Sequence, residues 1–413
     1  DVYKRQEEKM KKRRFAPQKA GAAMMAAALV LSMGMPAMAA GSNYSTTIEG
    51  TKTTTFDKYL VMDAQAEVPN ATFTYAVTAG TAKTYEVNGK KFEILAGVDA
   101  DEVTMAGVGS ETANTIAYAP NDGTLQDENA MVKNYNSQTQ KYAKKTATLD
   151  FSACAFTEPG VYRYVITESG ENQGVSNDAD STRIVDVYVN DASTTTEKKL
   201  SIAGYVLHSN EDDISMGDSH GTVNTDPEGK SQGFTNTYDT SDLTIRKEVV
   251  GNQASHDKYF EFTVAITGAE AGTIYKVDLT GADTTSGTNS ATIAANANKT
   301  NPATLTVGAD GTVTEKFYLQ HGQEITIQGL AKDTAYNVTE NAEDYKSTAA
   351  GVEDYTDAVN GTIESTDLKT SYLNTREGVI PTGVVMTVAP FAAVTLLGGI
   401  GAVSIIMKKK NDD

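Results

Sequence analysis

Twice in this 413-residue chain a lysine stands in the middle of an apolar row, within a strand pattern that recurs in the same order. Thr54-Thr55-Phe56-Asp57-Lys58-Tyr59-Leu60-Val61-Met62 alternates strictly, which puts Phe56, Lys58, Leu60 and Met62 on one face of a strand. Pro69-Asn70 turns into a second alternating run, Thr72 to Val77. After Glu158-Pro159-Gly160 comes a run in which Tyr162, Tyr164, Ile166 and Glu168 share a face, and Phe234, Asn236 and Tyr238 share one at the close. The second copy opens with Leu243, Ile245, Lys247 and Val249 aligned. It continues through Tyr259 to Ile266, then Tyr336, Val338 and Glu340, and ends at Tyr372-Leu373-Asn374-Thr375. Each copy therefore presents Lys early, Glu late and Asn last on its inner faces, and a repeat of this kind predicts two similar domains.

Long helical periodicity is missing, and the short alternating runs are separated by Gly, Asn, Asp and Pro, which predicts an all-β chain of two tandem β-sandwiches. The first is expected over residues 41–240 and the second over 241–378, with a very short link between Tyr238 and Leu243. Spacings are longer in the first copy, so insertions are expected within Lys83–Lys145 and Asp178–Lys230; their polar composition reads as loops or short added strands. The single cysteine excludes an intramolecular disulfide. A net charge of −19 argues against nucleic acid as a partner.

Both ends read as transport signals. Residues 1–9 read as upstream of a natural start at Met10, and Asp1-Val2-Tyr3-Lys4-Arg5-Gln6 looks like translated adapter sequence. Lys11-Lys12-Arg13-Arg14, the apolar stretch Ala20 to Met33 and the small residues up to Ala40 form a secretory signal peptide over residues 10–40. At the other end, residues 379–413 hold Ile380-Pro381-Thr382-Gly383, an apolar run to Met407 and a Lys408-Lys409-Lys410 tail. As a helix the run is about 36 Å long, enough to span a bilayer with the lysines on the cytoplasmic side.

That order of motif, apolar span and basic tail resembles the cell-wall sorting signal of Gram-positive surface proteins. The resemblance implies that a sortase transpeptidase cuts between Thr382 and Gly383 and passes the Thr carboxyl to an amine. No residue separates Pro381 from Thr382, a departure from the commonest form that is similar to the signal of FctA-type pilus shaft subunits. A plain membrane anchor is the alternative.

The repeated trio resembles the intramolecular isopeptide domains, of the Ig-like or CNA-B-like kind, found in Gram-positive pilins and adhesins. That resemblance implies a Lys58–Asn236 bond beside Glu168 and a Lys247–Asn374 bond beside Glu340. In such a pocket desolvation keeps the amine neutral and nucleophilic, while the protonated Glu hydrogen-bonds the amide and relays protons. The alternative for a lone buried lysine is a salt bridge or a side chain that snorkels to the strand end. The intermolecular acceptor lysine implied by the pilin resemblance is Lys230, with Lys198 and Lys199 as competitors.

Other candidates carry less. Cys154 reads as a small buried residue, the four histidines lack metal-ligand spacing, and Asp178-Ala179-Asp180 and Glu211-Asp212-Asp213 read as solvated acid. No cofactor, metal or enzyme active site is expected. The chain reads as an exported structural pilin of the cell wall. Its expected partners are sortase, further copies of itself, ancillary pilins and peptidoglycan, and the insertions leave host surface molecules open. The alternative is a singly wall-anchored adhesin or stalk built from the same domains.

Overall fold

In the computed structural model, the described residues run from 44 to 379, apart from 46, 88–89, 210–230, 232, 282–300, 350–351, 353, 356–357 and 365. The expected signal peptide, Lys230, and Ile380, Pro381, Thr382 and Gly383 with the apolar run lie outside them. Among the described residues no helix is long and apolar enough to cross a membrane.

Among the described residues strands dominate, with one turn of 3-10 helix at Ala100–Glu102. The first half of the chain forms an eight-stranded and a six-stranded sheet, the second half a six-stranded and a four-stranded one. In each half the opening long strand lies beside the closing strand and parallel to it: Thr53–Asp63 with Gly233–Tyr238, and Thr240–Val250 with Leu368–Thr375. Parallel neighbours cannot be joined by a tight turn, so the rest of each half must fold between them.

The alternation of the opening strand places Phe56, Leu60 and Met62 in the first core, with Lys58 fully buried in the same row. Its other face is buried too, because Tyr59 and Val61 pack with Val132 and Tyr142 in a smaller cluster. Gly233 starts the closing strand at a point where a Cβ would sit 1.6 Å from the Asp57 carbonyl oxygen, so only glycine admits this close pairing.

Short added strands and loops fill most of Lys83–Lys145, as expected, from Lys83–Val87 to Thr124–Leu125, but the end of that insertion and the described part of the second form long strands instead. Gln140–Asp150 is an 11-residue strand that pairs the opening strand along its whole length. Thr182–Asp191 and Leu200–His208 extend the large sheet. Their inward Ala143, Ala147, Val185 and Val187 are small or β-branched residues set among polar ones, and the rows they form gain meaning only once a neighbouring strand is present.

Only Asp239 separates the closing strand of the first half from Thr240–Val250. At this joint the Asp239 amide donates to the Gly174 carbonyl at 2.7 Å, the Asn70 side chain donates to the Ala271 carbonyl at 2.6 Å, and Ala331 packs into the first core.

Candidate functional site: two buried lysine–glutamate–asparagine clusters

Among the described residues each half buries one lysine completely, on the opening strand, facing a glutamate that comes from the opposite sheet. In the first, Lys58 Nζ donates to both carboxylate oxygens of Glu168, at 2.8 and 2.6 Å. In the second, Lys247 Nζ lies 2.7 Å from Glu340 Oε1, and neither side chain is exposed at all. Aromatic rings wall both amines: Lys58 Nζ sits 4.1 Å from the centre of the Phe73 ring, and Lys247 Nζ sits 4.6 Å from that of Phe260.

Sheet register explains the match. Glu168 lies opposite Tyr75 and Glu340 opposite Phe262, each two residues after the ring that covers the lysine. On the lysine's own sheet, Lys58 pairs with Phe234 and Lys247 with Tyr372, so each asparagine stands two residues beyond its lysine's partner on the same face. Asn236 and Asn374 are both fully buried.

Burial pushes both amines down from 10.5 to about 8, against the opposing pull of the neighbouring glutamate. The remaining glutamate valences are filled differently. Tyr75 Oη donates to Glu168 Oε2 at 2.6 Å, whereas Ser347 Oγ donates to Glu340 Oε2 at 2.7 Å, since Phe262 has no hydroxyl.

The asparagines differ as well. Asn374 Nδ2 donates to Glu340 Oε1 at 3.0 Å, so all three residues of the second cluster meet at one oxygen. Its Oδ1 is buried without a hydrogen-bond partner among the described residues. Asn236 instead accepts from the Asp178 amide at 2.9 Å and donates to Asn177 Oδ1 at 3.0 Å. The first cluster therefore joins Lys58 and Glu168 directly and holds the amide of Asn236 from the other side.

Asp178 is the residue that sequence reading missed. It is buried rather than solvated: Oδ2 takes the Thr235 amide at 2.9 Å and pairs with the fully buried Arg183 at 2.5 Å. Burial pushes its carboxyl up, but the Thr235 amide and the Arg183 guanidinium more than offset this, and it lies below the ordinary value. Arg183 in turn lies over the Phe234 ring, 4.5 Å from its centre. A charged residue at an inward position of the Thr182–Asp191 strand was the available signal.

Elsewhere, Cys154 is buried and burial pushes its thiol up to about 11. His208 lies buried 3.2 Å from Asp186, which Arg163 holds. His256 and His321 stack at 3.9 Å, a pairing invisible in the sequence. No group of three or more metal-ligating side chains occurs among the described residues. Lys199 bridges Glu49 and Glu197, and Lys198 is exposed.

Residues 48–239 match the family described as the Spy0128-like isopeptide containing domain, FctA. A pilin of Streptococcus pyogenes serotype M1 is 27% identical over 389 residues, which cover 89% of this chain and 93% of that protein. The first half of the chain carries the FctA domain, and the chain is a Gram-positive pilus shaft subunit. This pilin is a structural protein of the cell surface, one that assembles with other pilins, and not an enzyme. Its residues 241–376 match a second domain family, of unknown function, DUF7601. Among solved structures it is similar to the major pilin of S. pyogenes, with 20% identity, a TM-score of 0.49, and 80% of this chain and all of that one covered. The T-13 major pilin of the same species is 23% identical, with a TM-score of 0.43, and 79% and 99% covered.

Proposed function

We propose that this pilin is welded shut twice by its own side chains, Lys58 to Asn236 and Lys247 to Asn374, and that sortase joins such subunits end to end. The observation that carries the reading is the second cluster, where an amine and an amide, both cut off from water, touch the same oxygen of Glu340.

The attacking amine must be neutral. Desolvation already favours that form, and a proton passed across the Lys–Glu contact leaves a free amine beside a carboxylic acid. A half-turn of the Asn374 amide about Cβ–Cγ brings Oδ1 to the place of Nδ2, 3.0 Å from Glu340, and gives the unpartnered oxygen a donor. Nζ then bonds to Cγ, the Cγ–Nδ2 bond breaks, and ammonia leaves with the proton that the glutamate relays. Groups held in contact supply much of the rate, and Glu168 and Glu340 act once each.

Such a bond ties the first strand of a domain to the last. By the loop-entropy arithmetic used for disulfides, each contributes on the order of 5 kcal/mol. Tension along the fibre then passes through the crosslink rather than through the core. Cleavage at Thr382–Gly383 supplies the acyl donor, Lys230 the acceptor, and the last subunit is transferred to peptidoglycan. The insertions of the first half are free to contact host surface molecules.

Intact mass of the exported chain tests the welds: two ammonia losses, about 34 Da, are expected, and an unmodified mass ends the reading. SDS-resistant ladders in wall extracts, collapsing to one band in Lys230→Arg, test the polymer. One band in the unsubstituted strain marks a singly anchored protein instead.

A further inference from the structure

We infer that the Asn177–Asp178 segment completes the bond-forming site of the first domain: the Asp178 N–H holds the charge that develops on Asn236 Oδ1, and Asn177 Oδ1 holds the nitrogen that leaves. The inference rests on the Lys58–Asn236 bond proposed above and goes beyond it. Attack by Lys58 Nζ on Cγ moves an electron pair onto Oδ1, and a backbone N–H already 2.9 Å from that atom stabilises it without rearrangement. The pair then returns, Cγ–Nδ2 breaks, and Nδ2 departs as ammonia with a proton relayed from the lysine by Glu168. As Nδ2 gains this proton its hydrogen bond to Asn177 Oδ1, 3.0 Å away, strengthens.

The segment is fixed rather than loose. Asp178 is pinned to the Thr235 amide and to Arg183, and Arg183 also donates to the Gly233 carbonyl at 2.8 Å, one residue before Phe234. Arg183 is thus a positioning residue that locks the donor loop to the strand carrying Asn236. Asn177 is exposed while Asn236 is fully buried, so their hydrogen bond marks the route by which ammonia reaches solvent. The second domain lacks the device. Its amide oxygen has no donor among the described residues, and its amide nitrogen contacts the glutamate itself.

The two domains make the test internal. The full chain is expressed under a pulse of isotope label, and digests taken over time are read for the Lys58–Asn236 and Lys247–Asn374 crosslinked peptides. Asn177→Ala is expected to slow the first crosslink by about tenfold or more, the loss of one hydrogen bond to a charged group, and to leave the second unchanged. Asn177→Asp retains the acceptor and is expected to restore the rate. Hydrogen exchange at the Asn236 strand shows whether each variant is folded, which substitution at an exposed side chain favours. An Asn177→Ala chain that closes as fast as the unsubstituted one overturns the inference, and so does an Asn177→Asp chain as slow as Asn177→Ala. A missing Lys58–Asn236 peptide in the unsubstituted chain overturns the underlying bond instead, so the two failures are told apart.

Discussion

Lys247 and Asn374 both reach Oε1 of Glu340, the amine at 2.7 Å and the amide nitrogen at 3.0 Å. They lie on adjacent parallel strands, and the glutamate that joins them comes from the facing sheet. Lys58 and Asn236 hold the same register in the first domain, yet there the amide is drawn to Asn177 and Asp178. Two sites with one chain plan thus hold their amides by different means.

Replacing Glu340 by Ala is expected to block the second bond and leave Lys247 buried without its counter-charge. Breaking a buried pair in this way costs about 3–5 kcal/mol. Intact mass should show one ammonia lost rather than two, with the first domain unaffected. Two losses from Glu340→Ala would show that the glutamate is dispensable.

Lys58→Met keeps most of the side-chain volume and removes the nucleophile. Without the proposed crosslink the first domain is expected to lose on the order of 5 kcal/mol, which for a unit of this size lowers its melting temperature by about 10–20 °C. Calorimetry of the secreted chain reads this directly; a transition within a few degrees of the unsubstituted one would argue that the strand ends are not tied.

Asn374→Ala leaves Lys247 free to titrate, and the sign of the effect follows from its lowered value. The folded amine gives up its proton near 8, whereas the unfolded one keeps it to about 10.5. Across that window the unfolded state binds more protons, so folding stability rises with pH; below 8 the two states match and the slope vanishes. Denaturant titrations at pH 7 and 10, each compared with Lys247→Met/Asn374→Ala, isolate the contribution of this amine. A difference that is flat or falls with pH would contradict the burial.

Tyr75→Phe converts the first cluster to the second domain's arrangement, in which Phe262 stands opposite the glutamate. Loss of the 2.6 Å hydrogen bond to Glu168 is expected to cost about 1.5–3 kcal/mol, because the acceptor is charged. The rate of the first crosslink should change while the second holds. Urea unfolding and timed peptide mapping measure the two effects separately.

How far the sequence alone reached can be judged residue by residue. Period-two alternation is local, so it placed Lys58, Glu168 and Asn236, and Lys247, Glu340 and Asn374, on inward faces without any partner strand. The same signal failed for Gln140–Asp150, where small and charged residues alternate and only a neighbouring strand reveals the buried row. Asp178 looked like surface acid although Arg183 stands only five residues on, because the inward direction of Arg183 is fixed only once Thr182–Asp191 has joined the sheet and closed over Thr235. The export and sorting motifs expected at the two ends lie outside the described residues; motifs of that kind are legible for a different reason, since they act as linear segments.

What the amino-acid order determined by itself is therefore the all-β class, the doubling of the plan and the identity of the lysines, glutamates and asparagines. Only the tertiary structure decided that Asn374 shares an oxygen with Lys247 while Asn236 is held by Asn177 and Asp178. Facing a core is a property of one strand and its period. Hydrogen-bond partnership is set by sheet register and by which loop closes over the end of the sandwich, and those contacts join residues far apart in the chain.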